Sequence, residues 1–319
     1  MRVLVAGGAG FVGSHLCDRL AEDGHDVFCI DNYVTGRPTN IQHLLDSSRF
    51  AMYEADLVSG IPEVGEVDRI YHLASPASPP GYKQHPIETM RVNSEGTRHL
   101  LDLAERCRAR FLLASTSEVY GDPLEHPQNE TYLGNVSTTG PRSMYDESKR
   151  FAEAMSMVYH RDRGVDVRIS RIFNTYGPRS DPNDGRLVPN FVVQALEGRP
   201  ITVYGQGTQT RSLCYVSDLV SGLTSLMESD QASGEVVNLG NPAEHTILEF
   251  AEVIKDLTSS KSPVVFREYA VGDDPRRRRP DITKAGDLLA WSPSVQLTDG
   301  LRLTIEYFEQ EMKLKKVTA

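Results

Sequence analysis

Val3-Leu4-Val5-Ala6-Gly7-Gly8-Ala9-Gly10-Phe11-Val12-Gly13 is the stretch that decides the fold. A short apolar run passes directly into glycines, and Val12, Leu16 and Leu20 then recur at helical spacing. That order predicts a buried parallel strand, a tight turn and a helix. Gly8, Gly10 and Gly13 fit G-x-G-x-x-G, and Gly7, Gly10 and Gly13 fit G-x-x-G-x-x-G. Glycines there let the backbone approach a pyrophosphate, which the positive end of the helix attracts. The spacing alone is weak; its place between strand and helix gives it meaning.

Working outward, a second strand over 27–30 ends at Asp31, about twenty residues beyond the glycines, where a carboxylate can accept hydrogen bonds from ribose hydroxyls. It would repel a 2′-phosphate, which favours NAD over NADP; Arg37 is assigned to a contact elsewhere. A third strand over 50–54 leads to Asp56, placed beside the adenine or in a turn. A fourth, over 68–74, runs into Ser75-Pro76-Ala77-Ser78-Pro79-Pro80-Gly81, read as a loop too proline-rich for regular structure. His72 reads as a packed strand residue. One continuous helix is expected over 86–106, with Asn93 and Gly96 where a strand or cofactor approaches.

A fifth strand over 111–114 precedes Ser115-Thr116-Ser117-Glu118, hydroxyls and a carboxylate at the strand end where α/β sheets place ligands. The alternative there is a capping cluster. A sixth strand is expected over 165–170. The fold class is α/β: a Rossmann-type doubly wound parallel sheet with a smaller C-terminal substrate-binding region. Residues 1–175 are expected to form the NAD-binding part and 176–319 the smaller substrate-binding region. The two are interleaved, because a strand near 235–239 returns to the main sheet. A capping box is expected at Thr246, and helices near 284–290 and 298–313 finish the chain.

Tyr145 and Lys149 lie four residues apart, and Phe151, Ala152, Met155, Val158 and Tyr159 form an apolar stripe at helical period. The pair therefore shares a helix face. An ammonium beside a phenol favours phenolate, so Lys149 is expected to lower the Tyr145 pKa. Such a phenolate suits removal of a proton from a sugar hydroxyl, and a Ser/Thr, a Tyr and a Lys around one hydroxyl make a hydride-transfer site.

The chain has 319 residues, 39% hydrophobic and 24% charged, as in globular proteins. Its net charge of −10 argues against nucleic acid as a partner. Cys17, Cys29, Cys107 and Cys214 show no paired spacing and read as reduced thiols with no metal site. No run suits a membrane span, the first strand leaves no room for a targeting peptide, and the two sequons at Asn129 and Asn135 read as chance matches. A cytoplasmic protein is expected.

The glycine turn, Asp31, the Ser/Thr strand end and Y-x-x-x-K together resemble the extended short-chain dehydrogenase/reductase family, and within it the UDP-glucuronate decarboxylases. The segments HLASPASPP, LASTSEVYGDP, RIFNTYGPR and DDPRRRRPD carry the narrower likeness, which runs from about residue 1 to 312. The resemblance implies oxidation at C4 of UDP-glucuronate by bound NAD+, loss of CO2 and re-reduction, giving UDP-xylose. It implies catalytic roles for Thr116, Ser117, Glu118, Tyr145, Lys149 and Arg278, with Arg278 on the substrate carboxylate; spacing alone does not say which of Arg276–Arg279 faces inward. Implied cofactor contacts are Gly7, Gly10, Phe11, Val12, Gly13, Asp31, Asn32, Thr35, Gly36, Asp56, Leu57, Leu73, Ser75, Tyr145, Lys149, Thr175 and Arg186. Implied substrate contacts are Pro80, Asn174, Arg186, Asn190, Tyr204, Gln209, Arg211 and Arg278. A homodimer through the helices at 86–106 and 144–163 is likewise implied. Residues 132–144 and Ser148, where many members carry Gly, depart from the family pattern and touch the approach to Tyr145. The competing readings are a nucleotide-sugar 4-epimerase or 4,6-dehydratase, and a catalytically silent NAD-binding scaffold. Ser117-Glu118 stands where a dehydratase typically has Asp-Glu, which argues against dehydration.

Overall fold

The structure is a computed structural model and describes residues 1–268 and 277–318. The apolar runs form a seven-stranded sheet in which every neighbour pair is parallel. Its strands are β1 (Arg2–Ala6), β2 (Asp26–Asp31), β3 (Phe50–Glu54), β4 (Arg69–His72), β5 (Arg110–Thr116), β6 (Val167–Ile172) and, far along the chain, Val236–Leu239. The order across the sheet is Val236–Leu239, β6, β5, β4, β1, β2, β3. The winding reverses between β1 and β4, so their loops part there and open a crevice at the carboxyl edge.

Alternation along the strands feeds two cores. Val3 and Val5 pack on one face with Leu16, Leu20 and Leu223. Leu4 and Ala6 pack on the other with Leu100, Leu101 and Ala152. The helices covering these faces are α1 (Phe11–Glu22), α2 (Pro79–Gln84), α3 (Pro86–Arg91), α4 (Thr97–Cys107) and α5 (Ser143–Arg163). The proline-rich stretch after β4 is not all loop, as the sequence suggested. Ser78 caps α2 by accepting from the Gly81 amide, and Pro79 and Pro80 fill the first turn, where no helical N–H is needed. Nor is the following helix uniform: a π-turn, Val92–Gly96, separates α3 from α4.

The apolar stripe of α5 also divides. Ala152 and Tyr159 are buried, whereas Phe151 and Val158 are exposed. Helical period finds an apolar face but cannot say whether the same chain covers it.

Beyond β6 the chain forms β7 (Thr175–Tyr176), α6 (Leu187–Leu196), β8 (Ile201–Tyr204), β9 (Thr210–Ser212), β10 (Cys214–Tyr215) and α7 (Val216–Glu228). It then supplies β11 (the sheet-edge strand Val236–Leu239), β12 (Glu244–Thr246), α8 (Ile247–Thr258), β13 (Val264–Arg267), α9 (Thr283–Leu289) and α10 (Leu297–Thr318). Short pairs β10–β7, β12–β9 and β13–β8 build the smaller lobe beside the carboxyl edge. Thr246 and Glu249 form the expected capping box of α8. No helix among the described residues is long and apolar enough to cross a membrane.

Candidate active site

The carboxyl ends of the strands and the smaller lobe enclose two adjoining cavities. The smaller, about 100 Å³, is walled by Gly7, Gly10, Asp31, Asn32, Thr35, Gly36, Asp56, Leu57, Leu73 and Ser75. Gly7 has φ of +81°, and a Cβ there would lie 2.6 Å from the Ala74 amide nitrogen. A Cβ on Gly13 would lie 2.1 Å from the Gly7 carbonyl oxygen. Only glycine allows this turn. α1 then starts at Phe11 without a side-chain cap, leaving its first amides to a ligand.

Asp31 is buried, and its carboxylate accepts from the Ala9 amide at 2.9 Å and the Tyr33 amide at 2.9 Å. Burial raises its pKa and these amides work against that shift. Arg37 turns away from it and donates to Tyr307 and Glu311 of α10. The Asp56 carboxylate receives the Val58 amide in a turn, and the residue also lines the cavity.

The larger cavity, about 1100 Å³, is lined by Gly7, Gly10, Phe11, Val12, Gly13, Thr35, Gly36, Leu73 and Ser75 at its cofactor end. Farther in, Pro80, Thr116, Ser117, Glu118, Tyr145, Lys149 and Arg278 line it, followed by Asn174, Thr175, Arg186, Asn190, Tyr204, Gln209 and Arg211 on the smaller lobe. Residues as far apart in the sequence as Gly7 and Arg278 thus meet on one surface, because every βα loop of a parallel sheet opens on the same edge. Several polar groups there are held by their own loops. Arg186 Nε bonds Asp184 at 2.6 Å, Asn190 donates to the Gly185 carbonyl and Gln209 to the Tyr204 carbonyl. Of the arginine run, Arg276 lies outside the described residues, Arg277 is exposed and Arg279 half-buried, whereas Arg278 is buried and lines the cavity.

Tyr145 and Lys149 are both buried on the inner face of α5. Tyr145 stacks on Tyr82, with ring centroids 5.0 Å apart and planes at 12°. The Lys149 ammonium donates to the Ala114 carbonyl at 2.9 Å. The expectation that Lys149 depresses the Tyr145 pKa does not hold here. Burial pushes Tyr145 up to about 12, against a lowering hydrogen bond from Thr116. Burial also pulls Lys149 down to about 7, with Glu153 opposing. Desolvation is the largest influence at both groups. His72 is fully buried, bonds Thr97 and is held neutral by burial, with a pKa of about 3.

Three contacts escaped the sequence reading. Glu118 is gripped by two guanidinium groups, those of Arg142 and Arg278. Glu153, one turn beyond Lys149, accepts from Ser115 at 2.5 Å and pairs with Arg171 at 2.8 Å. Asn93, in the π-turn, donates to Ser75 at 3.0 Å and to Ser148 at 3.1 Å, so the unusual Ser148 joins α5 to the loop after β4. All three join segments far apart in the chain and leave no local signal. The irregular stretch before Tyr145 is moored by Arg150, which donates to the Val119 and Leu133 carbonyls at 2.9 Å.

The sequence comparison agrees with a dinucleotide-binding fold: the model described as "NAD dependent epimerase/dehydratase family" matches residues 3–240. The chain belongs to that family. UDP-glucuronic acid decarboxylase 1 of Danio rerio is 56% identical over 312 residues, 98% of this chain and 73% of that protein. UDP-glucose 4-epimerase of Thermotoga maritima, solved with UDP-glucose, superposes with a TM-score of 0.89 at 30% identity, covering 98% of this chain and all (100%) of the other. UDP-glucuronic acid 4-epimerase of Bacillus cereus, solved with UDP-glucuronic acid and NAD, gives 0.86 at 30% identity over 98% and 100%. The family likeness covers the cradle and the Tyr145 helix alike, since both fall inside the matched span.

Proposed function

We propose that this protein converts UDP-glucuronate to UDP-xylose and CO2 as an NAD-dependent decarboxylase. The observation that carries the reading is Arg278: a guanidinium only 5% exposed, in the wall of the cavity that also holds Thr116, Glu118, Tyr145 and Lys149. A buried cation at that point suits a sugar whose C6 is a carboxylate and has no use for a neutral hexose. Relatives above 50% identity that carry the name UDP-glucuronic acid decarboxylase support it.

The residues fit NAD. The glycine turn and the uncapped start of α1 would hold the pyrophosphate, Asp31 the adenosine ribose, and Lys149 the nicotinamide ribose. When bound, NAD+ would supply the acceptor for hydride from C4 of the sugar and its return, so there would be no net redox change. The chain supplies the proton chemistry. Tyr145 takes the C4 hydroxyl proton, and because burial holds its phenol near 12, phenolate has to be favoured as substrate arrives. Thr116 and Arg186 are the neighbours that favour it. The resulting 4-ketone is β to the carboxylate, so loss of CO2 leaves an enolate whose oxygen Tyr145 and Thr116 can hydrogen-bond. Glu118 is assigned to order a water for protonation at C5. On the smaller lobe, Arg186 and Arg211 are assigned to the pyrophosphate of UDP.

Incubation with UDP-glucuronate tests the reading. CO2 and UDP-xylose are the expected products. UDP-galacturonate without CO2 would identify a 4-epimerase instead, and no product at all would leave only an NAD-binding scaffold.

The proposed assembly is a homodimer. Ile87 and Met90 on α3, and Phe151 and Val158 on α5, are exposed apolar residues at helical spacing on two helices that pack together. The cytoplasm is the proposed compartment, supported by four cysteines present as free thiols.

A further inference from the structure

Four charged side chains from three separate segments form an alternating row beside Tyr145. Asp146 Oδ2, in the first turn of α5, lies 3.8 Å from Arg142 Nε. Arg142 Nη2 contacts one oxygen of Glu118, which follows β5, and Arg278 Nη1 contacts the other. The side chains are 5–15% exposed, so solvent screens them little. The row reads minus, plus, minus, plus, and Arg278 is the end that a further anion can join. Arg278 also donates to the Gly121 carbonyl, so a sugar carboxylate that takes the fork of this guanidinium competes for the one hydrogen bond Arg278 now gives Glu118.

We infer that Arg142, backed by Asp146, is a positioning residue that retains Glu118 while Arg278 passes from Glu118 to the sugar carboxylate. The inference rests on the decarboxylase reading. A buried carboxylate left without a cation costs several times what one ion pair contributes at a surface. With Arg142 in place, Glu118 keeps a cation throughout and the exchange at Arg278 replaces one carboxylate by another. With Arg142 removed, Glu118 holds Arg278 and competes with the substrate. Arg142 thereby makes the pocket receptive to anionic sugars without itself contacting the reacting carbon.

Binding by the NAD-loaded enzyme, measured by calorimetry in a Tyr145→Phe background that cannot turn over, tests this. Arg142→Met should weaken UDP-glucuronate at least about tenfold while changing the neutral UDP-glucose less than about twofold. Arg142→Lys, which keeps the charge, should recover most of the loss. Adding Glu118→Gln to Arg142→Met should also recover it, because the competitor is then gone. Equal weakening of both sugars, or no recovery in the double variant, overturns the positioning role. The enzyme with Tyr145 and Arg142 intact separates the two ideas. If it releases CO2 from UDP-glucuronate, those results count against Arg142 alone. If it releases none, the decarboxylase reading fails and takes this role with it.

Discussion

Tyr145 is buried against Tyr82 and bonded by Thr116, so its hydroxyl has one productive direction, into the cavity. Tyr145→Phe removes only that hydroxyl and keeps the stack. Reduction of bound NAD+ on adding UDP-glucuronate should fall by about 10²-fold or more, with the unfolding midpoint nearly unchanged. Nicotinamide absorbance and denaturant titration measure the two. Undiminished reduction would remove Tyr145 as the base. Lys149 allows a second test. Its pKa falls from 10.5 to about 7 in the folded protein. Between those values the unfolded chain holds a proton that the folded chain has released, so this group makes stability rise with pH across that window. The full effect is bounded on the order of 4–5 kcal/mol. Lys149→Met should therefore gain stability relative to wild type at pH 6 to 7 and lose that advantage towards pH 10. A difference between the two proteins that does not change with pH would show that Lys149 is not desolvated as described. Tyr145, Lys149 and Asp31 were legible because their spacing from one another or from the glycines is fixed by one element or one βα unit. Arg142 was not, although it stands three residues before Tyr145. Its meaning comes from Glu118 and Arg278, 24 and 136 positions away, reckoned from its own number.

The turn between β1 and α1 is the element on which the cofactor site depends. A methyl at Gly13 would enter van der Waals space of the Gly7 carbonyl and of Gly8 Cα, 2.9 Å away. The backbone has to move, because neither neighbour is a flexible side chain. Gly13→Ala should cost about 1–3 kcal/mol and, since the turn itself carries the amides, should weaken NAD binding beyond what the stability loss explains. Calorimetric titration with NAD against an equally destabilised core variant such as Leu223→Ala separates the two effects. Elements of this kind, in which strand, turn and helix follow at once, were read correctly from sequence. The misread elements share a different cause. Pro79-Pro80 looks like a breaker until the Ser78 cap shows that both rings sit in a first turn. The π-turn at Val92–Gly96 has a helical pattern on both sides, and its contacts are tertiary: Asn93 reaches Ser75 and Ser148, and a Cβ on Gly96 would lie 3.3 Å from Leu57.

For the whole molecule, the exposed faces of α3 and α5 bear on how the site is kept rigid. Phe151 follows Lys149 by two residues, so it projects about 200° round the helix from it, and it is 51% exposed while Lys149 is 3% exposed. One helix thus carries the site on its inner face and unpaired apolar surface on its outer face. Every residue assigned to catalysis belongs to the same chain and lines one cavity, so the proposed second copy is not needed to supply a catalytic group. What it adds is burial: Ile87, Met90, Phe151 and Val158 would leave water, and the helix bearing Tyr145 would be braced from behind. Association stabilises the folded chain by mass action, so the unfolding temperature of the wild type should rise with protein concentration. Phe151→Glu places a charge in that face. It should convert the protein to a monomer by sedimentation equilibrium, abolish the concentration dependence and lower the midpoint, while NAD binding at the distant glycine turn persists. A Phe151→Glu protein with the wild-type mass would move the interface elsewhere. A monomer with an unchanged midpoint would show that α5 is held by its inner face alone, through Ala152, Ser156 and Tyr159.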